Sequence, residues 1–177
     1  MKKILLIIIV LMEQPGFGQS NWTVDSAYIG FQIVNAGIDV NGTFNGLESL
    51  ISFSRKKLKK SWFTASVDAG TVDTGIRIRD KHLRKSDFFD IERYPVITIT
   101  SMEILEPELL EFKASCMLDL KGKQESINIP FTFQEMDDYA IMQGDFKINR
   151  IDYQIGEESL ILSDSVIINI WLRLKEK

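Results

Sequence analysis

The sequence predicts an all-β, antiparallel domain with a single helical insert. Apolar and polar residues alternate with period two through most of the chain, the pattern of strands with one buried face. Turn dipeptides separate these runs. No long helical stretch lies between them, which excludes βαβ crossovers and with them a parallel sheet. Eight strands of this kind can close into a barrel and remove their exposed edges. An open sandwich satisfies the same periodicity.

Taken in chain order, the first residues stand apart. Lys2 and Lys3 precede an unbroken apolar run from Ile4 to Met12, followed by Pro15, Gly16 and Gly18. A basic start, a short apolar core and small residues at the −3 and −1 positions make a secretory signal, with cleavage expected after Gly18. The run is shorter than the ~18 apolar residues of a spanning helix. The expected organisation is therefore a signal peptide over 1–18 and one domain over 19–177. The protein would be exported, and periplasmic where the source has an outer membrane.

Strands are expected at 22–34, 38–44, 49–54, 63–69, 96–104, 110–120, 127–134, 140–148 and 166–174. The clearest alternations are Phe63, Ala65, Val67, Ala69; Ile127, Ile129, Phe131, Phe133; and Val166, Ile168, Ile170, Leu172, Leu174. Turns are expected at Asn41-Gly42, Asn45-Gly46, Lys121-Gly122 and Asp137-Asp138. Pro130 cannot donate to a ladder, so it implies an edge position or a bulge. Between the fourth and fifth strands the pattern breaks. Asp73 or Thr74 offers an N-cap, and Ile76 to Lys85 suits an amphipathic helix, with Tyr94-Pro95 ending the insert.

The chain of 177 residues carries a net charge of −4. Removing Lys2, Lys3 and Glu13 with the signal takes basic residues from 21 to 19 and acidic ones from 25 to 24, hence about −5. An acidic surface argues against a nucleic-acid partner. The one basic run, Arg55, Lys56, Lys57, Lys59 and Lys60, reads as a solvated turn between strands. Cys116, the single cysteine, alternates with Phe112, Ala114, Leu118 and Leu120 and reads as a small buried hydrophobe. His82 is the single histidine. Without a second histidine or a metal-spaced cluster, it fits a hydrogen-bonded network with Arg79 and Asp80, pinning the helix to the domain.

The stretch Thr74-Gly75, then Arg79-Asp80-Lys81-His82-Leu83, then Asp87-Phe88-Phe89-Asp90 and Tyr94-Pro95 resembles the hallmark of the YceI-like family. Supporting matches are Trp22-Thr23-Val24-Asp25, Gly42-Thr43-Phe44, Lys121-Gly122 and Phe146-Lys147-Ile148-Asn149-Arg150. Two departures stand out. Ala27-Tyr28-Ile29 replaces the family's His-Ser or His-Thr pair, and Gln154 follows Asp152-Tyr153 where the family has glycine.

The resemblance implies an extended eight-stranded antiparallel, lipocalin-like β-barrel with one short helical insert at its rim. It also implies export, links to stress responses, and an interior that holds a long isoprenoid-type chain, either polyisoprenoid or quinone-like. On that reading the protein is a carrier or buffer, not an enzyme, with no cofactor; a homodimer fits the family. The alternatives are an accessory or enzyme of isoprenoid or quinone metabolism using His82 and Asp80, and a ligand-free envelope-stress protein. The candidate lining residues are Phe31, Phe44, Ile76, Leu83, Phe88, Phe89 and Tyr94. Arg79, His82 and Arg84 are candidates to meet a headgroup.

Overall fold

A computed structural model describes residues 21–177. The expected signal segment, 1–18, lies outside the described residues. Nine strands form one antiparallel sheet: β1 (Trp22–Asn35), β2 (Ile38–Phe44), β3 (Glu48–Ser52), β4 (Trp62–Asp68), β5 (Val96–Glu108), β6 (Glu111–Leu120), β7 (Lys123–Glu135), β8 (Ala140–Asn149) and β9 (Leu162–Glu176). The sheet closes because β1 pairs with β9 along nearly its whole length, from Trp22 opposite Glu176 to Asn35 opposite Leu162. The far edge of β1 is shared. Its start meets β3 at Trp22 and Ile51, and its end from Ile29 to Asn35 carries β2. The ring is therefore an eight-stranded barrel, with β2 as an extra strand beside β1. This decides for the barrel over the sandwich.

Alternation places side chains as the sequence reading expects. On β6, Phe112, Ala114, Cys116, Leu118 and Leu120 are all buried, and desolvation pushes the Cys116 thiol up to about 12. Trp22, Phe53, Phe112, Phe131 and Phe133 pack the end of the barrel where β1 begins. Phe53 lies 4.4 Å from Phe133 and 5.1 Å edge-on from Phe112, and Trp22 lies 5.2 Å from Phe133, between ring centroids. The opposite end carries the insert and the loop between β8 and β9.

One expected turn is not a turn. Asn41 and Gly42 lie inside β2, and Gly42 sits opposite Phe31, whose ring occupies the space a Cβ would need. The reversal comes earlier, at Ala36 (φ 50°) and Gly37 (φ 78°). Both residues take the left-handed conformation that a two-residue hairpin with natural strand twist demands. The basic run forms an exposed 3-10 turn, Arg55–Lys60, tied down by Arg55 on Glu106 at 2.7 Å.

β7 and β8 pair only from Thr132 to Glu135 on β7, so the two strands part above that point. Pro130 lies in the parted stretch, still in register with Lys113 of β6, with its carbonyl close against Gly144 of β8. That one-sided pairing meets the edge position a proline requires. Tyr153 and Ile155, from the β8–β9 loop, form one apolar cluster with Leu118 and Leu120 of β6, and Ile127 of β7 and Ile148 of β8 pack against that cluster.

Candidate functional site

Between the aromatic floor and the insert lies a cavity of about 390 Å³. Its walls come from Ile29 and Ile33 on β1, Val40 on β2, and Ile168 and Ile170 on β9, and Phe63, Ile129 and Phe131 line its floor. β9 records the boundary directly. Val166, Ile168, Ile170 and Leu172 all line the cavity, whereas Leu174 on the same face is fully buried in the packed end and does not. The lining is almost entirely apolar. Its polar groups include Asn35, Thr74, Arg79, His82 and Arg150. A concave apolar space with few polar groups suits an apolar ligand held mainly by burial.

The roof is the insert. Helix α1 spans Arg77–Leu83, too short to persist alone in water. It is shorter than the helix expected from the sequence, and neither Asp73 nor Thr74 is its N-cap. That position is Ile76, which offers no capping side chain. Asp73 instead accepts the Gly75 N–H at 2.7 Å, and Thr74 joins a knot around Asp80. The Asp80 carboxylate accepts the Thr74 N–H at 2.8 Å and its hydroxyl at 2.5 Å. Arg79 donates to the Thr74 hydroxyl at 2.7 Å and to the Thr74 carbonyl at 2.8 Å. Burial pushes the Asp80 carboxyl up, but the Thr74 hydrogen bonds, with the Arg84 and Arg79 charges, outweigh it and hold the group below its ordinary value.

Arg84 pins the other end of α1, donating to the Gly70 carbonyl at 2.6 Å and the Val72 carbonyl at 2.8 Å. A chain of aromatic contacts joins the roof to the wall. Phe89 meets Phe44 edge-on at 5.4 Å, and Phe44 meets Phe31 at 5.5 Å.

His82 does not join the Arg79–Asp80 knot, contrary to the expectation from sequence. Its Nε2 lies 3.3 Å from the Asp87 carboxylate and its ring lies edge-on to Phe88 at 5.0 Å, both partners on its own C-terminal side. The helical turn carries His82 away from Asp80, which also separates the pair considered for acid–base chemistry. Among the described residues, no cluster of histidine, cysteine and carboxylate side chains is arranged to hold a metal.

Of the ten candidate residues, Phe31, Phe44, Arg79, His82, Leu83, Phe88 and Phe89 line the cavity. Ile76, Arg84 and Tyr94 do not. Ile76 is exposed at the helix start, and Arg84 spends its guanidinium on backbone carbonyls. Tyr94 packs over Gly122, with the Arg93 guanidinium 5.3 Å from its ring centre.

Arg150 was not singled out from sequence as a site residue. It is 2% exposed, reaches the cavity, and holds the β8–β9 loop. It donates to the carbonyls of Ser163 (2.9 Å), Ile155 (2.8 Å), Glu157 (2.8 Å) and Leu162 (3.3 Å), and to the Asp164 carboxylate (2.8 Å). The sequence signal was present: an arginine directly after an alternating strand, followed by loop residues. Gln154 and Gly156 in that loop both take left-handed φ, 56° and 66°. The turn therefore forms even where glutamine replaces glycine.

Comparison with known proteins agrees with this architecture. Among curated relatives, the chain is 31% identical over 90 residues to a UPF0312 protein of Photorhabdus laumondii, covering 48% of this chain and 47% of that protein. The alignment thus spans about half the length of that relative. Among solved structures, the chain is similar to BcnA of Burkholderia cenocepacia, with a TM-score of 0.82 and 21% identity over 85% of this chain and 99% of that one. It is also similar to a structure described as a polyisoprenoid binding domain from Saccharophagus degradans. That match has a TM-score of 0.71 and 18% identity over 90% of this chain and 100% of that one. The family model for the YceI-like domain matches residues 22–174, from the first residue of β1 almost to the end of β9. Barrel, roofing insert and motif thus coincide over nearly all the described residues, and the chain belongs to the YceI-like family.

Proposed function

We propose that this protein is an exported carrier or buffer that holds a long apolar isoprenoid-type chain inside its barrel. The observation that carries this reading is the apolar cavity under the insert, walled by Ile29, Ile33, Val40, Ile168 and Ile170. Burial of chain methylenes, at about 0.8 kcal/mol each, supplies most of the binding energy. Selection is then by length and shape more than by hydrogen bonds. The similarity to a domain described as polyisoprenoid-binding supports the ligand class. The basic and apolar order of residues 2–18 supports export.

A ligand's polar end belongs beside Arg79 and His82, where the cavity meets the insert. Arg84, already bonded to two carbonyls, is a strut of the roof and not a headgroup contact. The test is organic extraction of protein purified from its native envelope, followed by mass spectrometry. A stoichiometric isoprenoid alcohol, phosphate or quinone is the expected result. An extract free of apolar chains, from protein that also takes up no isoprenoid alcohol added in solution, overturns the reading.

A further inference from the structure

We propose, resting on the carrier reading above, that the mouth of the cavity is a docking rim for an anionic lipid bilayer. Three segments surround the mouth. The β1–β2 hairpin tip and the loop before β9 are joined by the Ala36 N–H donating to the Ile161 carbonyl at 2.6 Å. The insert is joined to the β8–β9 loop by the Gly156 N–H donating to the Asp87 carbonyl at 2.8 Å. Asn35, Leu162, Arg79 and His82, drawn from these segments, line one cavity.

Each segment exposes a large aliphatic side chain. Ile38 at the hairpin tip is 70% exposed, Ile78 on α1 is 85% exposed, and Leu160 on the loop is fully exposed beside exposed Ile161. Ile38 has the same strand parity as the cavity-lining Val40, so the apolar wall continues past the roof. Ile78 directly precedes the cavity-lining Arg79. Exposed aliphatics concentrated around an opening mark an interaction surface; scattered single ones do not.

Charge identifies the partner. Arg77, Lys81 and Lys85, on and just beyond α1, are exposed and make no ion pair among the described residues, in a chain of net charge −4. The nearby carboxylates of Asp80 and Asp87 are engaged, by Thr74 and His82 respectively. Asp152, Glu157 and Glu158 are exposed acids of the loop and Asp39 is the exposed acid beside Ile38 on the hairpin, so headgroup contact falls on the helix while the loop and hairpin contribute Leu160 and Ile38. Aliphatic side chains beside free lysine and arginine are what an interfacial lipid site uses. Docking with the mouth against the bilayer lets an isoprenoid pass between membrane and cavity without exposing its methylenes to water.

The experiment is flotation of the purified protein with vesicles of phosphatidylcholine alone and with phosphatidylglycerol added. Binding only to the anionic vesicles is expected. It should weaken by about fivefold or more for each basic residue reversed among Arg77→Glu, Lys81→Glu and Lys85→Glu. It should be lost in the pair Ile78→Asp and Leu160→Asp, with circular dichroism unchanged and uptake of a short isoprenoid alcohol from solution retained.

The competing basic surface is the Arg55–Lys60 turn, at the opposite end of the barrel beside exposed Leu109 and Leu110. The proposal is overturned if wild type fails to float. It is equally overturned if reversing Lys56, Lys57, Lys59 and Lys60 abolishes flotation while the mouth variants float normally. A protein that floats by its mouth but takes up no isoprenoid sinks the carrier reading and leaves the docking rim standing.

Discussion

The carboxylate of Asp80 accepts both the backbone N–H and the hydroxyl of Thr74, six residues earlier, at 2.8 and 2.5 Å. One buried side chain thereby ties the start of α1 to the segment that enters it. It does from inside the helix what an N-cap residue does from outside.

Asp80→Asn should therefore loosen the roof, costing about 1–3 kcal/mol near neutral pH because the Thr74 donors lose their charged acceptor. The pH dependence has a definite sign. The folded-state carboxyl lies below its ordinary value of 3.8. Its contribution is thus fully present above that value and lost as pH falls through the lowered folded value. Urea denaturation should show wild type and Asp80→Asn well separated near neutrality and converging in strong acid. A gap that widens on acidification contradicts this.

Arg150 is the strut of the β8–β9 loop. Replacing it with Met keeps some of its volume but leaves the carbonyls of Ile155, Glu157, Leu162 and Ser163 without their donor. A loss of about 2–4 kcal/mol is expected. Faster hydrogen exchange should extend over residues 150–162 and into the parted ends of β7 and β8. Arg150→Lys should recover little, because an ammonium cannot span four carbonyls as the planar fork does.

Gln154 sits at φ 56°, where a side chain is strained and glycine is not. Gln154→Gly should raise stability by about 0.5–1 kcal/mol, the strain relief being partly offset by the freer unfolded chain. A higher urea midpoint with an unchanged m-value is the expected reading.

Ile168 lies on the cavity wall with open space before it. Ile168→Trp should fill that space at a stability cost of about 1–3 kcal/mol or less and exclude a bound chain. Mass spectrometry of organic extracts should show the isoprenoid signal reduced at least tenfold relative to wild type, a difference of about 1.4 kcal/mol. Undiminished ligand in a well-folded variant would place the chain elsewhere.

The strands were legible from sequence because period-two alternation is local. Phe112 through Leu120 and Val166 through Leu174 declare their inward faces without reference to any partner. The Lys121-Gly122 hairpin was equally local, both residues turning left-handed (φ 53° and 70°). Asn41-Gly42 misled for the converse reason. A turn dipeptide and a glycine cleared for a facing ring look alike until Phe31 is known to lie opposite. The roles of Arg84, Tyr94 and His82 were illegible too, since their partners at Gly70, Gly122 and Asp87 are set by how the insert folds back on itself and on the barrel.

The sequence by itself thus determined an antiparallel all-β chain, its inward residues, its family motif and the place of its one helical insert. All of these rest on periodicity and short-range chemistry. Closure of the sheet through β1 and β9, the parting of β7 from β8 and the cavity were decided only in three dimensions. Ile168 and Leu174 are alike in sequence, both aliphatic and inward on one strand. One faces open space and the other faces packed neighbours, and that difference depends on what the rest of the barrel places in front of them.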